Sequence, residues 1–130
     1  MTILNLTQHL ATPEQVNAGV IDLPEAYRVE LKQLLTFDEL PTLGEISDRA
    51  VKVAELANRA RNLFGMSLDD ATAMIGGAPF LMMHLSATLG AYNIRSVFAF
   101  SKREVVETLN ADGTVTKTAV FKHAGFVPAF

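Results

Sequence analysis

The chain has 130 residues, a net charge of −3, 49% hydrophobic and 19% charged residues, the profile of one globular domain with a sizeable core rather than a disordered segment. The mild acidity argues against a general duplex-DNA binder, which would carry a basic field. The absence of cysteine removes disulfide frameworks and thiolate zinc sites. No apolar run approaches the ~18 residues that would span a membrane. Met1-Thr-Ile-Leu-Asn-Leu6 is interrupted at Thr7-Gln8-His9 and does not read as a signal peptide. A single domain over residues 1–130, cytoplasmic and with no membrane partner, is therefore expected.

Thr2–Leu6 predicts a short buried strand. Thr12-Pro13-Glu14-Gln15 predicts a helix start. Thr12 can cap, Pro13 suits the first helical position, and Gln15 sits where a capping box places its return partner. Asn17-Ala18-Gly19 stops that helix early, and Val20-Ile21 reads as a small extended piece. Pro24–Leu35 reads as a second helix, with Tyr27, Leu31, Leu34 and Leu35 on one side and Glu25, Arg28 and Lys32 on the other. The strongest local pattern follows. Thr42 with Glu45 forms another capping box, Gly65 supplies a stop, and Leu43, Ile46, Ala50, Val53, Ala57, Ala60 and Phe64 recur at steps of three and four. That helix is roughly 30 Å long, enough to cross a sheet.

Ala73–Ile75, the pair Gly76-Gly77, a helix opened by Pro79 and a strand Arg95–Ser101 have the shape of a βαβ unit. The pattern then changes to two-residue alternation. Arg103–Leu109 and Thr114–His123 flank Asn110-Ala111-Asp112-Gly113 and predict a hairpin. The apolar tail Ala124–Phe130 is expected to pack on the domain or on a second subunit. The fold class expected is α/β, a three-layer Rossmann-like domain whose mostly parallel sheet ends in a C-terminal antiparallel hairpin.

Three loops leave the carboxyl ends of the expected strands: Thr7-Gln8-His9, Gly76-Gly77-Ala78 and Ser101-Lys102-Arg103. In open α/β folds that edge binds ligands. The glycines let backbone amides approach an anion, and the helix start at Pro79 adds partial positive charge. Lys102 and Arg103 can neutralise phosphates, while Thr7, His9 and Ser101 offer hydroxyls and an imidazole. Together they describe a phosphate or nucleotide site. Blander readings stand beside each of these. A Gly-Gly before a helix can be only a tight turn, and this one is neither a Walker loop nor G-x-G-x-x-G. Lys102-Arg103 reads equally as a solvated pair, and His9 as a cap for the helix that follows. His84 and His123 read as structural, and Asp69-Asp70 as a solvated turn. The three histidines lack metal-ligand spacing, so neither a metal nor a cofactor is expected. Ser101 has no nucleophile-elbow context.

The opening Leu4-Asn5-Leu6-Thr7-Gln8-His9-Leu10-Ala11-Thr12-Pro13-Glu14-Gln15 resembles the start of small CRISPR-associated Rossmann-like proteins. Ile75-Gly76-Gly77-Ala78-Pro79 and then Val97-Phe98-Ala99-Phe100-Ser101 resemble their second landmark. That group is related to CARF sensor domains and ring nucleases, which bind or cleave cyclic oligoadenylates, commonly as metal-free homodimers. The likeness covers the two ends of the presumed sheet and leaves out the Thr42–Phe64 helix and the final hairpin. Carried over by position, it implies that Thr7, Gln8, His9, Gly76, Gly77, Ser101, Lys102 and Arg103 line the ligand edge.

The function expected is binding of a small nucleotide-type ligand, with sensing or metal-independent cleavage of cyclic oligoadenylate in antiviral signalling. His9 would move a proton while Lys102, with Arg103, stabilises developing charge. A rival reading is a non-enzymatic homodimer of phage or mobile-element origin, joined through the long Ala-rich helix and the apolar tail. A third, an enzyme acting on a small phosphorylated compound, uses the same anion site.

Overall fold

Five strands form one sheet in the computed structural model, which describes residues 1–130. β1 (Ile3–Leu6) lies between β2 (Val20–Ile21) and β3 (Ala71–Ile75). β3 pairs with β4 (Ile94–Leu109), and these four strands are parallel. β5 (Val115–Pro128) returns antiparallel along β4, giving the order β2-β1-β3-β4-β5. The intervening helices are α1 (Pro13–Asn17), α2 (Glu25–Leu35), α3 (Leu43–Leu63) and α4 (Pro79–Ala91).

The layers follow from the direction of each connection. The chain steps one way from β1 to β2, then the other way from β2 over β1 to β3 and on to β4. Right-handed crossovers therefore send α1 to one face and the three longer helices to the other. The two packing clusters reflect this division. Leu4, Leu6, Ala73 and Ile75 meet Leu31, Val53, Leu81 and Leu85 on the helical face. Ile3, Val20, Met74 and Val97 form a smaller cluster on the opposite face, covered by Ala11 and Phe126. The result is a three-layer α/β domain with one thin layer. A fully buried leucine such as Leu85 contributes about 2 kcal/mol through burial alone.

Local chemistry explains where the helices begin and end. Thr12 Oγ1 accepts from Gln15 N at 3.2 Å, and Gln15 Oε1 accepts from Thr12 N at 3.0 Å, so the capping box ahead of α1 is complete. At α3 only the forward half forms, with Glu45 N donating to Thr42 Oγ1. Gly65, at φ +66°, ends α3 in the left-handed conformation expected of a helix stop. Leu43 is exposed, because core contact on α3 begins only at Ile46. Ala50, Val53, Ala57 and Ala60 are fully buried inside the protomer. The small-residue face of α3 is thus used by the domain's own core, and it is not available as a partner interface.

Two arginines fasten the helices. Arg49 Nη1 donates to the carbonyls of Gln33, Leu34 and Thr36, closing the C-terminus of α2, and its guanidinium stacks 4.5 Å from the Phe37 ring. Arg61 is buried and has no carboxylate partner. It donates to the Tyr92 carbonyl at the end of α4 and to the Asn58 side chain, where the negative end of the α4 dipole favours a cation.

The expected break after Ser101 does not occur. β4 runs unbroken to Leu109, so Ser101-Lys102-Arg103 is not a loop but part of a two-stranded arm. β3 loses contact with β4 after Met74 and Val97, while β5 accompanies β4 to the turn. A register shift falls between Phe100 and Ser101, where the arm leaves the body.

Candidate active site at the carboxyl edge of β1 and β3

The connection from β1 departs toward α1 on one face, and that from β3 toward α4 on the other. The two therefore diverge and leave a crevice at the ends of the neighbouring strands. A cleft of about 610 Å³ occupies this place, lined by the segment after β1, the Gly76-Gly77 turn and Phe98-Ala99 of β4. Thr12 and Gln15 form its α1 side, and Met74 and Phe98 supply apolar surface.

Buried Asn5 shapes the loop that follows β1. Its Nδ2 donates to the His9 carbonyl at 2.8 Å and to Asp22 Oδ1 at 2.7 Å. Its Oδ1 accepts from Thr7 N at 3.0 Å and Thr7 Oγ1 at 2.7 Å. Both amide hydrogens and both lone pairs of the amide oxygen are used, as expected for a buried polar side chain. Asp22 Oδ1 also accepts from Ala11 N at 3.0 Å, which fixes the far end of the loop. Thr7 therefore lines the cleft, but its hydroxyl is engaged inside the loop. The rings and amides left facing solvent belong to Gln8 and His9, and the His9 ring makes no hydrogen bond.

On the other wall, Gly77 has φ +153°, which favours glycine, and a Cβ there would stand 3.3 Å from Met82 Cε, so the methyl group would have to shift slightly. A Cβ at Gly76 would reach Thr7 Cγ2 at 3.4 Å, an ordinary contact. The N-cap of α4, Ala78, provides no side-chain hydrogen bond, and the first turn holds no acidic residue. The positive end of this 13-residue helix is thus left uncompensated beside the cleft.

A second, smaller pocket of about 240 Å³ lies across the same loop, where Thr7, Gln8 and His9 face Glu25, Arg28 and Lys32 of α2. Arg28 Nε donates to the Leu23 carbonyl at 3.0 Å, which orients its guanidinium. Sequence reasoning put Arg28 and Lys32 on the solvent side of a helix and did not connect them with the site. The usable signal was their i, i+4 spacing on a helix that starts directly after the strand beside β1.

The structure brings Thr7, Gln8, His9, Gly76 and Gly77 together, and leaves Ser101, Lys102 and Arg103 outside the cleft. Arg103 lies four residues, about 13 Å, beyond Ala99 along an extended strand. Lys102 and Arg103 also point to opposite faces of the arm, so they do not converge on one phosphate. Ser101 pairs with His123, whose N–H donates to Glu14 Oε2 at 3.0 Å and ties the arm's base to α1. The His123 ring packs 4.8 Å from Phe126, and His84 lies half-buried in α4. Asp69 and Asp70 occupy the opposite edge of the sheet with Arg95. No three His, Asp or Glu side chains come together as a metal-binding group. No helix is long and apolar enough to cross a membrane.

Strand order, diverging connections and an edge cleft define an open α/β protein with a crevice at its topological switch point. A family model described as "Uncharacterized protein MJ1673 family" matches residues 1–127, and the chain belongs to that family. No curated protein matches it, and no solved structure does.

Proposed function

We propose that this protein binds a nucleotide-type ligand in the cleft between the β1 and β3 loops. The observation that carries the reading is the meeting of two unlike surfaces in one 610 Å³ space. The Gly76-Gly77 backbone and the uncapped start of α4 offer donors and positive potential to a phosphate, while Met74 and Phe98 offer apolar surface to a base. Arg28 and Lys32, across the loop, take the charge-neutralising role that the sequence suggested for Lys102 and Arg103.

The same arrangement suits cleavage of an RNA-like phosphodiester. His9 would take the proton of a ribose 2′-hydroxyl held in line with its phosphate. The 2′-oxygen would bond to phosphorus to give a 2′,3′-cyclic phosphate as the bond to the 5′-oxygen breaks, water would protonate the leaving 5′-oxygen, and the Gly76-Gly77 amides and the cations would stabilise the charge that develops. The resemblance of Leu4–Gln15 and Ile75–Ser101 to CRISPR-associated proteins makes cyclic oligoadenylates the first nucleotides to test, in a role of sensing or degrading an antiviral signal. The test is thermal stability against cyclic tri-, tetra- and hexa-adenylate, ATP, AMP and phosphate. A ligand at about 100 times its Kd stabilises by about 2.7 kcal/mol, a shift of several degrees in a domain of this size. A shift with one nucleotide that His9→Ala preserves, together with turnover that His9→Ala removes, supports both halves. Indifference to the whole panel overturns the proposal.

A further inference from the structure

A second chamber, of about 470 Å³, adjoins the cleft and is walled by Pro79, Met82, Met83, Phe98, Ala129 and Phe130. It exists because α4, the last of the four helices, packs on β4, and β5 at the sheet edge has no helix of its own on that face. The Ala129 amide donates to the Ser96 carbonyl at 2.9 Å and holds the outer wall against β4. Cleft and chamber meet at Gly77 and Phe98, which line both. A Cβ at Gly77 would stand 3.3 Å from Met82 Cε, on the chamber's side, so the missing side chain keeps the junction open. At that junction the amides of Gly76, Gly77 and Ala78 donate to nothing within the protein. Three consecutive free donors suit an anion.

The two spaces differ in chemistry. Gln8, His9, Thr12 and Gln15 give the cleft groups that can meet the polar edge of a base. The chamber has no charged side chain, no side-chain amide and no imidazole. Its one polar side chain, Ser86, is buried and donates to the Met83 carbonyl of its own helix at 3.3 Å. A base placed there would give up water at its ring nitrogens without replacement, a cost that an alkyl group does not carry. Met82 and Met83, unbranched and adaptable, suit a flexible chain.

We infer that the ligand is a phosphodiester with a nucleoside on one side of its phosphate and an alkyl chain on the other. The phosphate sits at Gly77, the base in the cleft and the chain in the chamber. The order is set by the junction, since the free amides stand where the two spaces meet. The inference rests on the binding half of the proposed function and adds to it the class of ligand.

The test is calorimetric titration of the full chain with the methyl and the hexyl esters of adenosine 5′-monophosphate, the latter below its micelle concentration. The two are equal in charge and differ by five methylenes. Each buried methylene is worth about a factor of four, and ordering the chain takes back part of this. The hexyl ester is therefore expected to bind about 100-fold more tightly than the methyl ester. Met83→Gln combined with Phe130→Ser, at two exposed positions of the chamber wall, should cut that ratio about tenfold. Equal affinity of the two esters overturns the inference and leaves the nucleotide reading standing. A hexyl advantage that the double variant does not reduce overturns it as well, since the chain would then lie on another surface. So does adenylyl-3′,5′-adenosine binding as tightly as the hexyl ester, which would put a second base in the chamber. Silence from both esters overturns the inference and the nucleotide reading together.

Discussion

Asn5 Nδ2 lies 2.7 Å from Asp22 Oδ1, a bond that joins the end of β1 to the segment leaving β2. Because Asp22 is shared with Ala11 N, one carboxylate oxygen sets both ends of the loop that carries Gln8 and His9. Asn5→Ala removes four hydrogen bonds, leaving the Thr7 amide without its acceptor and the His9 carbonyl with the Thr7 hydroxyl as its remaining donor. We expect a loss of about 2–3 kcal/mol in urea unfolding, with ligand-induced stabilisation reduced further because the loop is no longer fixed. A variant with wild-type stability would show that water replaces the amide and that the loop is not built on it.

The glycine pair separates conformational need from space for a ligand. Gly77→Ala meets a positive φ and the Met82 methyl group, and should destabilise by about 1–2 kcal/mol. Gly76→Ala meets only an ordinary contact and should leave the unfolding midpoint within about 0.5 kcal/mol of wild type. If the backbone at this turn receives a phosphate, Gly76→Val nonetheless weakens nucleotide binding through bulk in the cleft. Equal binding by Gly76→Val and wild type would move the phosphate elsewhere.

Cations on two elements compete for the anion role, and titration of single variants decides between them. The Lys32 side chain is exposed and makes no hydrogen bond, the residue's carbonyl alone accepting from Thr36 Oγ1, so Lys32→Ala perturbs charge with little effect on folding. It should weaken nucleotide binding several-fold at low salt and less at high salt, where screening is stronger. Lys102→Ala should leave affinity unchanged. The reverse pattern would return the arm to the site.

The hairpin tip has its own acid sensitivity. Thr114 Oγ1 donates to Asp112 Oδ1 at 2.6 Å and Thr114 N does so at 3.0 Å, and these bonds, the hydroxyl's first, hold the Asp112 carboxyl below its ordinary value. A carboxyl depressed by folding adds stability that is complete above the ordinary carboxylate range and disappears as pH falls through the depressed value. The protection of the Thr114 amide, taken against its intrinsic exchange rate at each pH, should therefore fall as pH drops through the depressed Asp112 value, and Asp112→Ala should lack that protection above it. An unchanged Thr114 rate in that variant would mean that Gly113 and the Asn110 bonds hold the turn unaided.

Much of the architecture could be read from short-range signals. Thr12, Pro13 and Gln15 announce a helix start that forms in full, and Ile75-Gly76-Gly77 followed by Pro79 gives the βα turn where it is found. These succeed because each depends on neighbours in the chain. The misreading at Ser101 has a physical cause. A strand that leaves the core keeps its backbone geometry but loses its apolar residues, so Lys102-Arg103 looks like an ending when only burial has ended. Asn5 stands in the opening motif, but the sequence does not mark it as the hub of the loop, because Asp22, which links it to Ala11, is brought to it by tertiary structure alone. Arg61 was equally illegible, since its acceptor belongs to a helix that starts later in the chain. The cations at the site were seen only as the wet side of α2, for the same reason.

The position of β1 in the sheet has a bearing on how the chain acquires its shape. Ile3 pairs with Val20 on one side and Thr72 on the other. The first pairing closes over a short span; the second must wait until more than half the chain has been made. From Ala71 onward every strand pairs with its immediate successor, so that region can organise through near neighbours. Among the pairings of the sheet, the capture of β1 by β3 is the long-range closure that costs most chain entropy. The same closure creates the crevice between the β1 and β3 loops, whose two walls do not exist as a pair until it has taken place.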